Sequence, residues 1–209
     1  SREVATGMSK GVQFLMKKNK IDIINGHGKV LPGKKVSVSN GKKTEEYLAK
    51  HIIIATGARS RELPAIPQNG KNIIGYRKAM TLEKQPKKLV VIGSGAIGIE
   101  FAYFYNAMGT EVVIVEYLDR ILPVEDEEVS KQLERSFKKS GIKIYTNAEV
   151  KKVETKNKSV DVIIKTKSNE EILNADIVLS AVGIKTNIEN IGLEDVGIAV
   201  DNDKIMVNN

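Results

Sequence analysis

Hydrophobic residues along this chain change their spacing several times, and each change marks a different kind of element. Val4, Met8, Val12 and Leu15 recur at helical spacing, with Lys17 and Lys18 at the end where cations favour the helix dipole, so an amphipathic helix is predicted over residues 3–18. Short β-type runs follow. They are Ile21-Asp22-Ile23-Ile24, then Lys35-Val36-Ser37-Val38-Ser39 after a Gly-His-Gly segment, and the apolar run His51-Ile52-Ile53-Ile54-Ala55 beyond the Asn40-Gly41 turn. This order predicts a meander rather than a β-α-β unit. The prolines of Glu62-Leu63-Pro64-Ala65-Ile66-Pro67 and the polar turn Gln68-Asn69-Gly70 break both periods, which predicts a linker to about Pro86 and a boundary near residue 85.

From Lys87 the pattern becomes strand, glycine turn, helix, strand. The apolar run Leu89 to Ile92 meets Gly93-Ser94-Gly95-Ala96-Ile97-Gly98, a helix is predicted from about Ala96 to Met108 with Gly109 at its C-cap, and a second strand ends at Glu116. A further helix is predicted from near Glu125, with acidic residues at its start and Lys138-Lys139 at its end before Gly141. After a strand at 142–145, the runs Glu149 to Glu154, Ser159 to Lys165 and Glu170 to Leu173 alternate with period two, so an antiparallel meander is inserted into the α/β unit. Asp176 to Gly183 reads as another buried strand ending in glycine.

The glycine turn carries chemistry. In Gly-x-Gly-x-x-Gly after a strand, the first glycine permits the tight turn, the second lets backbone approach a pyrophosphate, and the third lets the helix pack closely, with the helix N-terminus facing the anion. Gly93, Gly95 and Gly98 fill these places, and Glu116 supplies the acidic residue expected about 20 positions on, at the end of the next strand. A carboxylate there accepts hydrogen bonds from ribose hydroxyls and repels a 2′-phosphate, so NAD is favoured over NADP. Arg120, four residues past Glu116, reads as its solvated partner. The competing reading is a strand-to-helix turn whose glycines serve packing alone.

Composition narrows the class. With 209 residues and 41% hydrophobic content, the chain supports a globular α/β core, and its longest apolar runs fall far short of the roughly 20 residues that span a bilayer. The net charge of +7 is spread over turns and helix ends with only 5% aromatic residues, a pattern that argues against nucleic-acid binding. There is no cysteine and only His27 and His51, so no thiol nucleophile, disulfide or Cys/His metal site comes from this chain, and no catalytic residue is assigned within it.

Four blocks together resemble the two-dinucleotide-binding-domain flavoproteins, specifically the pyridine nucleotide-disulfide oxidoreductases and their dihydrolipoamide dehydrogenase branch. They are Ile52-Ile53-Ile54-Ala55-Thr56-Gly57-Ala58, the glycine motif with Glu100, Glu116-Tyr117-Leu118-Asp119-Arg120-Ile121-Leu122-Pro123, and Ala175 to Gly183. The resemblance implies a Rossmann-like NAD-binding domain (86–200) with an inserted antiparallel meander, preceded by part of an FAD-binding domain and linker (1–85) and followed by the start of the return to that domain (201–209). It gives Gly93, Ser94, Gly95, Ala96, Ile97 and Gly98 to the NAD pyrophosphate and Glu116 to the adenosine ribose. Val150 falls to the adenine side, with Gly183 and Glu100 near the nicotinamide. Gly28 and the Thr56-Gly57-Ala58 turn match positions where backbone passes the FAD. Each has a plainer reading too: Val150 as an alternating strand residue, Glu100 as a helix residue, Gly28 and Gly57 as turn glycines. Ile184-Lys185-Thr186-Asn187 stands where the family usually has Arg-x-Pro-Asn.

The family's redox cysteine pair, its histidine-glutamate pair and its first FAD glycine motif are absent. The resemblance therefore implies a central segment of a longer enzyme that reoxidises protein-bound dihydrolipoamide with NAD⁺ through FAD, inactive as a segment alone. It further implies a homodimer served by the lipoyl-bearing acyltransferase of a 2-oxo acid dehydrogenase complex, in the cytoplasm or a mitochondrial matrix. Another flavin disulfide reductase, an NADH oxidase and a non-catalytic NAD-binding module remain the alternatives.

Overall fold

The structure is a computed structural model that describes residues 2–157 and 159–208. Its chain divides into two compact units, one formed by the chain up to Gly57 together with the segment from Thr186, the other by Ala58–Lys185.

In the first unit, helix α1 (Arg2–Lys18) forms as its spacing predicts, yet none of its residues is buried. Strands β1 (His27–Leu31), β2 (Lys35–Ser39) and β3 (Thr44–Leu48) make an antiparallel meander. The predicted strands at 21–24 and 51–55 form no ladder, and Ile53 is 89% exposed. Apolar content signals a need for burial, but a strand also needs a partner for its N–H and C=O groups, and no described strand pairs with these runs. The polar segment that does pair, β3, has only Tyr47 partly buried. Residues 186–200, expected in the nucleotide domain, belong here: the Val30 N–H donates to the Ile191 carbonyl at 2.8 Å, and Ile191 and Leu193 are buried.

The second unit begins with β4 (Ala58–Ser60), β5 (Ile73–Ile74) and the short helix α2 (Tyr76–Ala79). These lie in the stretch read as a linker. Asn69 Oδ1 accepts the N–H groups of Lys71, Asn72 and Ile73, which makes the turn that delivers β5 to the sheet. Proline and Asn-Gly signals thus punctuated this stretch correctly, but they do not exclude a two-residue strand whose isoleucines are both buried.

The core elements follow: β6 (Lys88–Ile92), α3 (Ala96–Ala107), β7 (Glu111–Val115), α4 (Glu127–Lys139), β8 (Lys143–Tyr145), then β9 (Glu149–Thr155), β10 (Val160–Lys165), β11 (Glu170–Ala175), β12 (Ile177–Ser180) and β13 (Ile184–Thr186). Five strands form one parallel sheet in the order β5-β12-β6-β7-β8. Period-two alternation sorts β6 between two cores. Leu89 and Val91 face α3 and α4 with Ile99, Ala102, Tyr105 and Phe137, while Val90 and Ile92 face the β9–β11 meander with Val160, Val162 and Ile164. Both faces are covered, so β6 and β7 read as continuous apolar runs. Tyr105, stacked on Phe101 and edge-to-face with Phe104, donates its hydroxyl to the Ala79 carbonyl at 2.6 Å and so ties α3 to α2. Helix α4 starts two residues later than predicted because Asp126 is its N-cap, accepting from the N–H groups of Glu128 and Val129.

The chain leaves β6 on one side through α3 and β7, and β12 returns on the other side. That reversal opens a crevice at the carboxyl ends of β6, β7 and β12, the place where open α/β sheets bind ligands.

Two consequences are measurable. A Cβ at Gly98 would stand 2.1 Å from the Gly93 carbonyl oxygen. Overpacking of this kind costs about 1–3 kcal/mol against a helix-propensity gain of ~1 kcal/mol, and a clash with backbone cannot relax by rotamer change, so Gly98→Ala lowers the thermal midpoint. On the outer face of the meander, the Lys156 ammonium and the Asn174 amide hold the Asp161 carboxyl below the usual carboxylate range. A depressed carboxylate contributes stability above its ordinary pKa and loses that contribution as pH falls through the folded value. Asp161→Asn therefore flattens the acid limb of a urea-stability profile while changing its shape little above neutral pH.

Candidate functional site

The loop after β6 is built by glycine. Gly93 has φ +93°, and a side chain there would meet the Ala181 carbonyl oxygen at 2.5 Å, so only glycine lets β6 turn this close to the end of β12. Gly95 is the N-cap of α3 in extended conformation, with no side-chain cap on the first-turn N–H groups. A Cβ built on it has no atom within 4 Å, whereas Gly98 is jammed against the Gly93 carbonyl. The three glycines thus serve the turn, an open approach to the helix N-terminus, and close helix packing.

That helix end opens on a cavity of about 650 Å³ in the crevice of the second unit. Three loops converge on it: Gly93 to Ile97 after β6, Glu116 and Tyr117 after β7, and Ala181 to Gly183 after β12. Ala148 to Val150 close one side, and Leu63 and Ile66 another.

Glu116 is set into the wall at the β7 end and is only 7% exposed. Its Oε2 accepts from the Ser94 N–H at 2.8 Å and the Ser94 hydroxyl at 2.5 Å, and its Oε1 accepts from the Leu118 N–H at 2.9 Å. A buried carboxylate is tolerable because these donors replace water. The positive end of α3 and a fixed carboxylate therefore face one cavity, an arrangement that can hold an anionic group at one point and hydroxyl donors at another.

Of the residues singled out from sequence, Gly93, Ser94, Gly95, Ala96, Ile97, Glu116, Val150 and Gly183 come together on this cavity. Gly98 sits behind it as packing, and Glu100 is exposed on α3 outside the lining. Gly28 lies in β1, and Thr56 and Gly57 lie in the first unit, where Asn187 donates to both of their carbonyls. Ala58 opens β4. The first unit has its own apolar groove of about 520 Å³, lined by Val30 to Lys34, Ile52 and Ile54 on one side, and it includes neither Gly28 nor Thr56.

Arg120 does not pair with Glu116. Its Nη2 donates to the Pro123 carbonyl at 3.2 Å and Nη1 stands 4.0 Å from Asp119, because the carboxylate is already taken by Ser94 and Leu118. Leu63, Ile66 and Ala148 were missed by sequence reasoning, since the proline-rich stretch gave a linker signal and Ala148 follows a turn without periodicity. Arg61 was missed as well. It brings a guanidinium to the corner where the 184–187 segment lacks one: its N–H donates to the Gly183 carbonyl at 3.0 Å and its Nη2 to the Ile184 carbonyl at 3.3 Å.

Residues 2–209 match the family described as pyridine nucleotide-disulphide oxidoreductase. The chain is 45% identical to dihydrolipoyl dehydrogenase of Rhizobium etli over 96% of its length, and 44% identical to that of Zymomonas mobilis over 99%. It spans 45% of each of those relatives, about half their length. Among solved structures, LpdA from Mycobacterium tuberculosis superposes with a TM-score of 0.85 at 27% identity, covering 96% of this chain and 45% of that one. The HOCl-induced flavoprotein disulfide reductase RclA from Escherichia coli superposes with a TM-score of 0.78 at 26% identity, over 96% and 47% of the two chains. The chain belongs to the pyridine nucleotide-disulphide oxidoreductase family.

Proposed function

We propose that this chain supplies the NAD(H) site of a dihydrolipoyl dehydrogenase. The single observation that carries the reading is the open approach at Gly95, at the N-terminus of α3, on the same cavity as the buried Glu116. Pyridine nucleotide-disulphide oxidoreductases use FAD and NAD. The residues here fit the second: the first-turn N–H groups of α3 hold the pyrophosphate, Glu116 takes a ribose hydroxyl, and Val150 packs on the adenine side. Gly183 lies at the nicotinamide end, and Glu100 is assigned near it on resemblance alone.

NAD⁺ supplies hydride-accepting chemistry when bound. The chain's own residues orient it by fixing the dinucleotide at its far end, and the apolar wall of Leu63, Ile66 and Val182 excludes water from the crevice. FAD contacts at Gly28 and Thr56-Gly57-Ala58 rest on the family resemblance, and the first unit, the chain up to Gly57 with the segment from Thr186, is read as part of its domain. In the whole enzyme, dihydrolipoamide carried by the acyltransferase of a 2-oxo acid dehydrogenase complex is reoxidised with NAD⁺ by a cytoplasmic homodimer. With no cysteine in its 209 residues, the chain by itself binds nucleotide without turning over dihydrolipoamide. The likeness to RclA supports a second reading, a flavoprotein disulfide reductase with a different acceptor.

The test is an NADH titration followed by calorimetry or fluorescence. Gly95→Val, which meets no protein atom at its Cβ, keeps the thermal midpoint but raises the Kd at least tenfold, a loss of about 1.4 kcal/mol or more. Unchanged affinity in a folded Gly95→Val protein removes the phosphate assignment. Glu116→Gln lowers the preference for NADH over NADPH by about tenfold, since the repulsion of a 2′-phosphate goes with the charge. An unaltered ratio of the two dissociation constants contradicts the assignment of Glu116.

A further inference from the structure

We propose that Ser94 is a specificity-determining residue: it keeps one oxygen of the Glu116 carboxylate out of ligand binding, so that the adenosine ribose is read through a single hydroxyl. This rests on the nucleotide reading above and goes beyond it, because an unencumbered carboxylate would accept from both vicinal hydroxyls.

An ionised carboxylate offers about four acceptor positions, two on each oxygen. Oε2 of Glu116 receives both the N–H and the hydroxyl of Ser94, at 2.8 and 2.5 Å, and is filled. Oε1 receives the Leu118 N–H at 2.9 Å, and its second position is the one left for a ligand. The only donor that could withdraw without moving backbone is the Ser94 hydroxyl, so the number of hydroxyls the site reads depends on whether that hydroxyl stays.

Its surroundings hold it. Ser94 is fully buried, at 0% exposure, and its Oγ accepts from the Leu122 N–H at 3.3 Å, which leaves the hydroxyl proton directed to Glu116. The Leu122 N–H also donates to the Ser94 carbonyl at 3.0 Å, and the Leu122 carbonyl accepts from the Ser130 hydroxyl at 3.0 Å. Leu122 has φ +49°, a backbone conformation costly for a side chain bearing a Cβ, and these bonds pin it there. Ser94 thus sits in a buried chain that runs from Glu116 through the glycine loop to α4. Turning its hydroxyl toward a ribose would give up a charge-assisted bond at a side chain that is itself shut off from solvent.

The experiment uses the purified full-length protein and measures the Kd of NADH, of its analogue lacking the adenosine 2′-hydroxyl and of its analogue lacking the 3′-hydroxyl. On the unaltered protein, one deletion weakens binding tenfold or more and the other by less than threefold. In Ser94→Ala, which opens Oε2, both deletions weaken binding tenfold or more, and Ser94→Cys, a weaker donor, lies between. Equal losses at both hydroxyls of the unaltered protein, or no loss at either, overturn the proposal while leaving the NAD site standing. An asymmetry that persists in folded Ser94→Ala overturns the role of Ser94. Absence of NADH binding to the unaltered protein overturns the nucleotide reading itself, and the ribose assignment with it. The analogue series on the unaltered protein decides the single-hydroxyl reading even where a variant fails to fold.

Discussion

The contact between Gly98 and the carbonyl of Gly93 governs the geometry of this protein. At the third glycine of the motif there is no room for a carbon atom, so α3 lies directly on the turn that leaves β6. Its N-terminus is thereby held at the crevice between β6 and β12, where strand order reverses. A helix displaced by one side chain would shift its first-turn N–H groups by an ångström or more, enough to spoil an anion site that depends on backbone rather than on long charged side chains. The electrostatics are thus a product of packing.

The parallel sheet makes that packing firm. One face of β6 rests on helices and the other on an antiparallel meander, so two apolar cores of different construction grip the same strand. The meander takes the place that helices occupy on the second face of a doubly wound sheet, and the chain at its entrance, Ala148 to Val150, closes one wall of the cavity. Glu116 then completes the site from β7. Its charge is buried at the cost of binding three protein donors, which fixes its position and restricts what a ligand finds there.

Much of this was legible in residue order. Helical spacing marked α1, end signals marked α3 and α4, alternation marked β9 to β11, and eight of the residues named in advance share one cavity, because glycines, strand and acid obey steric rules that act over a few residues. What stayed hidden depends on distant partners. Ile21 to Ile24 and His51 to Ala55 are apolar enough to be strands but have no ladder neighbour among the described residues, while β5 is too short to stand out inside a proline-rich stretch. Arg120 and Arg61 show the same limit. Proximity in sequence suggested a partner for the first and an absence near Gly183 concealed the second, since side-chain pairing is settled by the folded loops.

A crystal structure of the protein grown with NADH tests the central claim most directly. The account predicts the pyrophosphate within hydrogen-bond distance of the backbone N–H groups at the start of α3, with the adenosine ribose against Glu116 and the adenine beside Val150. A dinucleotide bound away from the Gly93–Gly98 turn, or one whose phosphates contact neither that helix end nor its loop, contradicts it.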